Sequence, residues 1–383
     1  MGVRLRTSLN NGLNNGLRQS IFGGVGKLAF LEYTTASVSS FQIKTSGTVN
    51  YDVDWGDGST ETGITSNAKD HTYSTAGVYK IKITPASGST FRPSHQNAPD
   101  YQTNLTKIDG TGGSQLGTSL EDAFANTTSI TSVGKIDTSS VTNFKSTFNN
   151  LSNLTSFPSL DVSSGTFFFF TWNGCTGLTS FPALDFSSAN NLSAAWSNCS
   201  GLTSFPLINT STVTLFKNAW DGCSGLTSFP SINTSSGTDF RFTWKNCTAL
   251  TSFPSIDTSS GTLFNQAWRG CTSLTSFPSL DYSSATNLGY GWFDCTSLTT
   301  FPANQFNTTG TLASNSFSNT WANCALTAQS IENILTSLDT NGAQNITLHL
   351  NGGTNAAKST WSTAANTAYN NLVTKGWTIT FNS

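Results

Sequence analysis

Residues 250–273 read LTSFPSIDTSSGTLFNQAWRGCTS, and residues 274–297 read LTSFPSLDYSSATNLGYGWFDCTS. The string LTSFP begins at Leu154, Leu178, Leu202, Leu226, Leu250 and Leu274, and LTTFP at Leu298, each 24 residues after the last. Trp172, Trp196, Trp220, Trp244, Trp268 and Trp292 keep the same step, with Cys175, Cys199, Cys223, Cys247, Cys271 and Cys295 three residues behind them. A further pair, Trp321 and Cys324, follows a short insertion, and weaker copies upstream carry Phe124 and Phe148 at the Trp position. Such a period, with one apolar residue type per position, means units that stack because none can bury its core alone.

Within residues 250–273, Leu250 and Phe253 flank a short extended piece ending at Pro254. Phe264, Ala267, Trp268 and Cys271 then fall at i, i+3, i+4 and i+7, which predicts one face of a short helix. Thr262 is placed to cap it. The slot of Gly270 holds Gly174, Asn198, Gly222, Asn246 and Asp294 in other copies, residues that tolerate the positive φ closing a helix. Each copy therefore reads as short parallel strand, turn, short helix, turn. The expected fold class is mixed: a leucine-rich-repeat-like solenoid of 24-residue coils rather than an all-strand β-helix.

Charged residues make up 10% of the 383 residues, the net charge is -2, and aromatics reach 12%. Disorder favours high net charge and few aromatics, and nucleic-acid binding favours a strong basic excess; neither fits. No stretch is long and apolar enough to span a bilayer. The first 30 residues carry Arg4, Arg6, Arg18 and Lys27 but lack the apolar core of a secretory signal. The expectation is a protein that stays in its cell or leaves without such a signal, as a virion protein released by lysis does.

The repeats resemble the BspA-type leucine-rich repeats. The resemblance rests on IDTSSVTNFKSTFNNLSNLTSFP (136–158) and IDTSSGTLFNQAWRGCTSLTSFP (256–278), and covers residues 105–326. Trp replaces the usual Phe, and Phe-Pro follows the strand. Such repeats occur in bacterial surface adhesins and phage-encoded proteins, so the resemblance implies binding rather than catalysis. Upstream, VNYDVDWGDGSTETGITSNAKDHTYSTAGVYKIKI (49–83) carries WGDGS, HTY and G-x-Y-x-I. It resembles a polycystic-kidney-disease (PKD) domain, a small immunoglobulin-like β-sandwich in which Asp54, Asp57 and His71 are scaffold. The expected organisation is an arm at 1–35, the sandwich at 36–85, a linker at 86–104, the solenoid at 105–326 and an α/β cap at 327–383. The arm, with its LNNGLNNGL doublet, reads either as a flexible leader or as an anchor that orders on a virion protein. The cap has Thr327 before Ile331, Ile334, Leu335 and Leu338, then a strand through Leu348, a second helix near 361–374 and a last strand through Ile379.

The cysteines read as buried thiols, since neighbours on adjacent copies would point in parallel, a poor geometry for a disulfide. The ladder Asp137, Asp161, Asp185, Asn209, Asn233, Asp257, Asp281 and Asn307 reads as local backbone capping, with calcium between stacked carboxylates left open. A strip from Thr155 to Thr299 reads as a solvated face, with glycan or ice as the sharper alternative. His71, His95 and His349 form no evident nucleophile–base set, and no cofactor is called for.

One oddity is the run SSGTFFFFTW at residues 163–172. Phe168 shares its slot with Leu192, Phe216, Phe240, Phe264 and Leu288 and is core. The slots of Phe167, Phe169 and Phe170 vary between copies, as outward positions do. Phe167, Phe169, Phe170, Lys217, Arg241, Phe242, Gln266 and Tyr290 are therefore the candidate ligand surface. Packing against neighbouring copies or another subunit is the alternative, and a homo-oligomer is left open. The functional expectation is a non-enzymatic virion protein (fibre, spike or head decoration) that attaches to host protein or glycan. The alternatives are a bacterial surface adhesin and a glycan-active enzyme.

Overall fold

The computed structural model describes residues 31–94, 99–110 and 116–383. Most of the expected arm, and His95, lie outside these. The described chain is mixed and strand-rich with few helices, contains a 24-residue repeat, and forms no closed barrel.

The N-terminal part pairs two sheets. The larger has the order β4 (Thr60–Ile64), β3 (Tyr51–Asp54), β6 (Lys80–Pro85), β1 (Leu31–Thr35), β8 (Leu105–Asp109), β9 (Ser132–Val133). The smaller has the order β5 (Ala68–Gly77), β2 (Val38–Ser46), β7 (Arg92–Pro93). Alternation sets the inner faces: in LEYTT, Leu31, Tyr33 and Thr35 point inward. The sheets meet through rings such as Tyr33 and Phe41, 6.4 Å apart edge to face. Gly56 in WGDGS has φ +82°, and a Cβ there would stand 2.6 Å from the Lys80 carbonyl oxygen, so no other residue fits that approach. The segment read as a linker carries β7 and a short helix, α1 (Pro99–Asn104), and buries Phe91 and Tyr101 completely. Strand β8 pairs antiparallel with β1 but parallel with β9, so this sheet runs directly into the first repeat.

The repeats bear out the columns and correct the helix. Successive Trp rings lie parallel at 5.3, 5.4, 6.0, 5.5, 5.1 and 5.5 Å from Trp172 to Trp321, all wholly buried. A second column runs from Phe157 to Phe301 and meets the Trp rings edge on, as Phe229 does Trp220 at 4.8 Å. Between these anchors there is no helix. Phe264, Gln266, Trp268 and Gly270 each donate their N–H to the next copy, at Asn287, Gly289, Gly291 and Phe293 (2.8–3.0 Å). The residues between them close β-turns: Ala267 N–H to Phe264 O, Arg269 to Gln266, Cys271 to Trp268. Gln266 and Gly270 have φ of +60° and +73°, the sign that the third residue of a type II turn requires. A helix sends every N–H to i−4; here alternate N–H groups leave the copy, so a ribbon of overlapping turns forms instead. The LTSFP segment is likewise no regular strand. Thr251 N–H reaches Thr227 O at 3.3 Å, but Pro254 has no N–H to give. Parallel bridging runs at one residue per copy, from Ser119 through Asn143, Phe167, Asn191, Leu215, Asp239 and Leu263 to Asn287, with one further bridge, Ser276 to Thr300, between the last two LTSFP-type segments.

Beyond the last copy, Phe317 bridges to Leu348 in β10 (Thr347–Leu350), which pairs parallel with β11 (Thr378–Phe381). Helix α2 (Ala328–Asn341) is capped by Thr327 and ends on Gly342 in the left-handed region, and α3 (Thr363–Thr374) starts on Ser362. Ile331, Ile334, Leu335 and Leu338 are fully buried. Asn355 holds this end to the last repeat: its Oδ1 accepts from Leu326 N–H and its Nδ2 donates to the Trp321 and Leu350 carbonyls.

Candidate binding face

Two surfaces run along the stacked copies, and they differ in kind. On one, Thr155, Thr179, Thr203, Thr227, Thr251, Thr275 and Thr299 are all exposed yet hardly vary. Their hydroxyls are engaged: Thr227 Oγ1 donates to Thr203 O at 3.1 Å and Thr299 Oγ1 to Thr275 O at 3.1 Å, beside the N–H bonds of the same pairs. The neighbouring Asp/Asn ladder is local as well. Asp161 Oδ1 accepts from the Ser163 N–H (3.1 Å) and hydroxyl (2.7 Å), and Asp257 repeats this with Ser259. These bonds, the side-chain one foremost, hold both carboxyls below the usual carboxylate range. Among the described residues no three His, Cys, Asp or Glu side chains gather as metal ligands would.

The other surface is made by the turn ribbon, and here the copies differ. Of the two readings left open for Phe167, Phe169 and Phe170, neither full exposure nor full burial is seen: all three are half-buried. Phe169 sits edge-on to Phe170 at 4.3 Å and 6.2 Å from Phe167. Lys217, Arg241, Phe242, Gln266 and Tyr290 are half-buried too. Arg241 is clamped by Asp239, with Nε to Oδ1 at 2.9 Å and Nη2 to Oδ2 at 2.6 Å. Gln266 accepts from Arg269 Nη1 at 3.0 Å.

The geometry adds residues that the helical reading left out. Lys245 Nζ lies 5.6 Å from the Phe242 ring centre and 3.9 Å from Asp221 Oδ2. The Arg269 guanidinium lies 5.1 Å from the Phe293 ring centre, and Phe293 is edge-on to Tyr290 at 5.5 Å. Burial pushes the Asp221 carboxyl above the usual range despite Lys245 beside it and a hydrogen bond from Asn218 Nδ2. Asp221, Lys245, Arg269 and Phe293 share one slot, and lining up the copies at that slot exposes the same variation that marked the others.

The two kinds of positive-φ slot carry different sets of residues. Two slots per copy have positive φ. That of Gly270 contains only Gly, Asn or Asp, as sterics demand. That of Gln266 contains Asp122, Ser146, Phe170, Ala194, Asn218, Phe242, Gln266, Tyr290 and Asn319, all at φ of +51 to +60°. None is Gly, which would relieve the strain, and three are aromatic.

Among the described residues, a compact Ser, His and Asp group lies in the N-terminal sheets. His71 stacks on Trp55 at 4.6 Å, and its Nε2 lies 2.9 Å from Asp57 Oδ2 and 3.4 Å from Ser59 Oγ. One nitrogen serves both partners, whereas a relay needs the acid on one ring nitrogen and the nucleophile on the other. Asp57 instead turns the Asp-Gly loop by accepting from Ser59 N–H and Oγ. The cysteines are buried and unpaired, each Sγ donating to a main-chain oxygen one copy back, as Cys223 does to Trp196 O at 3.1 Å. No helix among the described residues is long and apolar enough to cross a membrane. Set against models of known protein families and against curated proteins, the chain matches none.

Proposed function

We propose that this protein is a non-enzymatic binding protein whose turn-ribbon face, on a leucine-rich-repeat-like solenoid of BspA type, carries the contact residues. The N-terminal sheets act as a PKD-like sandwich that spaces this face from its anchorage, and the α/β unit at 327–383 caps the open end. The setting is an exposed one: a phage fibre, spike or head decoration that engages host protein or glycan.

One observation carries this reading. At a backbone position where Gly costs least, every copy keeps a side chain, and Phe170, Phe242 and Tyr290 are bulky. Left-handed strain of about 1–3 kcal/mol at a non-Gly residue persists where function requires it. The equally repetitive Thr face has a structural reason to stay constant and needs no ligand. Labelled full-length protein should bind intact host cells, and Phe170→Gly, Phe242→Gly and Tyr290→Gly together should abolish that binding while leaving the protein at least as stable. Unchanged binding by the triple variant sinks the proposal, as does antibody imaging that finds the chain on neither particles nor cell surfaces.

A further inference from the structure

We infer that the ligand of this face is an extended anionic polysaccharide, an inference that rests on the binding role proposed above. The face carries Lys217, Arg241, Lys245 and Arg269 on three successive copies, against Asp221 and Asp239. Asp239 is fully engaged by both ends of the Arg241 fork. Among the described residues Lys217 has no ion pair and Lys245 has only a long one. In the two slots that hold Lys217, Lys245 and Arg269 the one acid on these three copies is Asp221, so these cations form a positive stripe on a chain whose net charge is -2.

Copies repeat every 5.1–6.0 Å along the Trp column, so these cations come at roughly one per copy. That is a sparse rhythm. Duplex phosphates are much denser along their axis, and nucleic acids are met by strongly basic surfaces, whereas a carboxylated or sulfated sugar chain presents about one charge per ring. Phe242 beside Lys245, and Phe293 beside Arg269 with Tyr290 packed edge-on against it, put aromatic rings next to cations. Sugar rings stack on such faces while their acid groups reach the cation. Between them lie Asn218, Asn265 and Gln266, amides suited to hydroxyls. A flat stripe crossing several copies fits a polymer rather than a small molecule, which prefers a concave site.

The test uses the full chain and four probes on a biosensor: polygalacturonate, dextran sulfate, neutral dextran and poly(dT). Both anionic polysaccharides should bind, weakening as salt rises, and neutral dextran should bind at least about tenfold more weakly. The variant Lys217→Ser, Lys245→Ser, Arg269→Asn should lose about tenfold or more in affinity for them. Those residues already occupy the same slots in other copies, at Ser193, Ser197 and Asn173, so the fold is retained, which a melting curve checks. Equal binding to neutral dextran, an unaffected variant, or tighter binding to poly(dT) overturns the inference. If the protein binds host surfaces and soluble polygalacturonate does not compete, the ligand class fails while the binding role stands. If it binds no surface, both fail.

Discussion

Replacing Trp220 tests the interior directly. Its ring is wholly buried, parallel to Trp196 at 5.4 Å and Trp244 at 6.0 Å, and edge-on to Phe205 at 5.2 Å and Phe229 at 4.8 Å. Trp220→Ala leaves a cavity bounded by these four rings and by Phe216, stacked at 6.3 Å. The expected loss is about 3–5 kcal/mol. Trp220→Phe should behave differently. The smaller ring gives up about 1–2 kcal/mol of burial. It also removes an indole N–H that meets no acceptor, and a buried orphan donor costs about 1–3 kcal/mol. The two changes nearly cancel, so Trp220→Phe should lie within about 1 kcal/mol of the parent. Phe124 and Phe148 already fill this slot, stacked at 5.9 Å. Urea unfolding followed by circular dichroism reads the difference. Because each copy touches only its neighbours, hydrogen exchange should show the loss concentrated around residues 196–244. A cost below about 1 kcal/mol for Trp220→Ala would mean that the ring is not in the core. Equal costs for both variants would mean that the indole N–H is bonded and the orphan argument fails.

Three other outcomes follow from the same geometry. Gly222 has φ +76°, so Gly222→Val should cost about 1–3 kcal/mol in urea unfolding, while Gly222→Asn, the residue found at Asn198 and Asn246, should cost only tenths; equal costs would refute the left-handed assignment. Burial raises the pKa of all seven cysteines, that of Cys175 to about 12. An unfolded thiol ionises near pH 8.5, so the stability these groups contribute is fully present below that pH and is lost as pH rises towards 12; a thiol reagent at pH 8 should label none in the native protein and seven in urea, and native labelling would contradict the burial. Asn355→Ala strands the Leu326 N–H and the Trp321 and Leu350 carbonyls, and should cost about 2–4 kcal/mol with loosened exchange across residues 321–383; a neutral result would mean that another group joins the cap to the repeats.

The period, the buried columns and the C-terminal helices are legible because each depends on residue type at a fixed spacing. Trp220, Cys223 and Leu226 have no role on a surface, and Thr327 before Ile331 is a complete start signal for a helix. The turn ribbon is not legible in that way. Phe264, Ala267, Trp268 and Cys271 fit i, i+3, i+4, i+7, but overlapping turns whose positive-φ residues recur every four, at Gln266 and Gly270, place side chains at the same intervals. The decisive backbone feature, positive φ at Gln266, is hidden because no copy has Gly there. The binding face is partly legible for a related reason. Comparing copies finds Phe242 and Tyr290, but drawing the segment as a helix set the slot of Lys245, Arg269 and Phe293 aside. The segment 86–104 looks like a linker because Phe91 and Tyr101 are lone apolar residues among polar ones, and only the sheets around them show what they pack against.

A conflict of dimensions decides between helix and ribbon. Helices packed side by side need about 8–10 Å between axes, whereas hydrogen-bonded extended chains lie about 4.8 Å apart. A column of parallel Trp rings in van der Waals contact requires the shorter spacing, and the rings here are 5.1–6.0 Å apart. A helix in every copy would spread one side of the stack and pull those rings out of contact. The turn ribbon meets the requirement because its alternate N–H groups bond to the next copy, so its rise matches that of the Phe157–Phe301 column, 5.6–6.1 Å per step. The same short rise accounts for the outer face. Side chains on adjacent copies come within reach of one another, as Lys145 and Glu121 do at 2.8 Å and Arg269 and Phe293 at 5.1 Å. They therefore settle as a half-buried, mutually ordered surface. Contact residues already held in place lose less conformational freedom on binding than free ones would, which favours the proposed encounter with a flexible polymer.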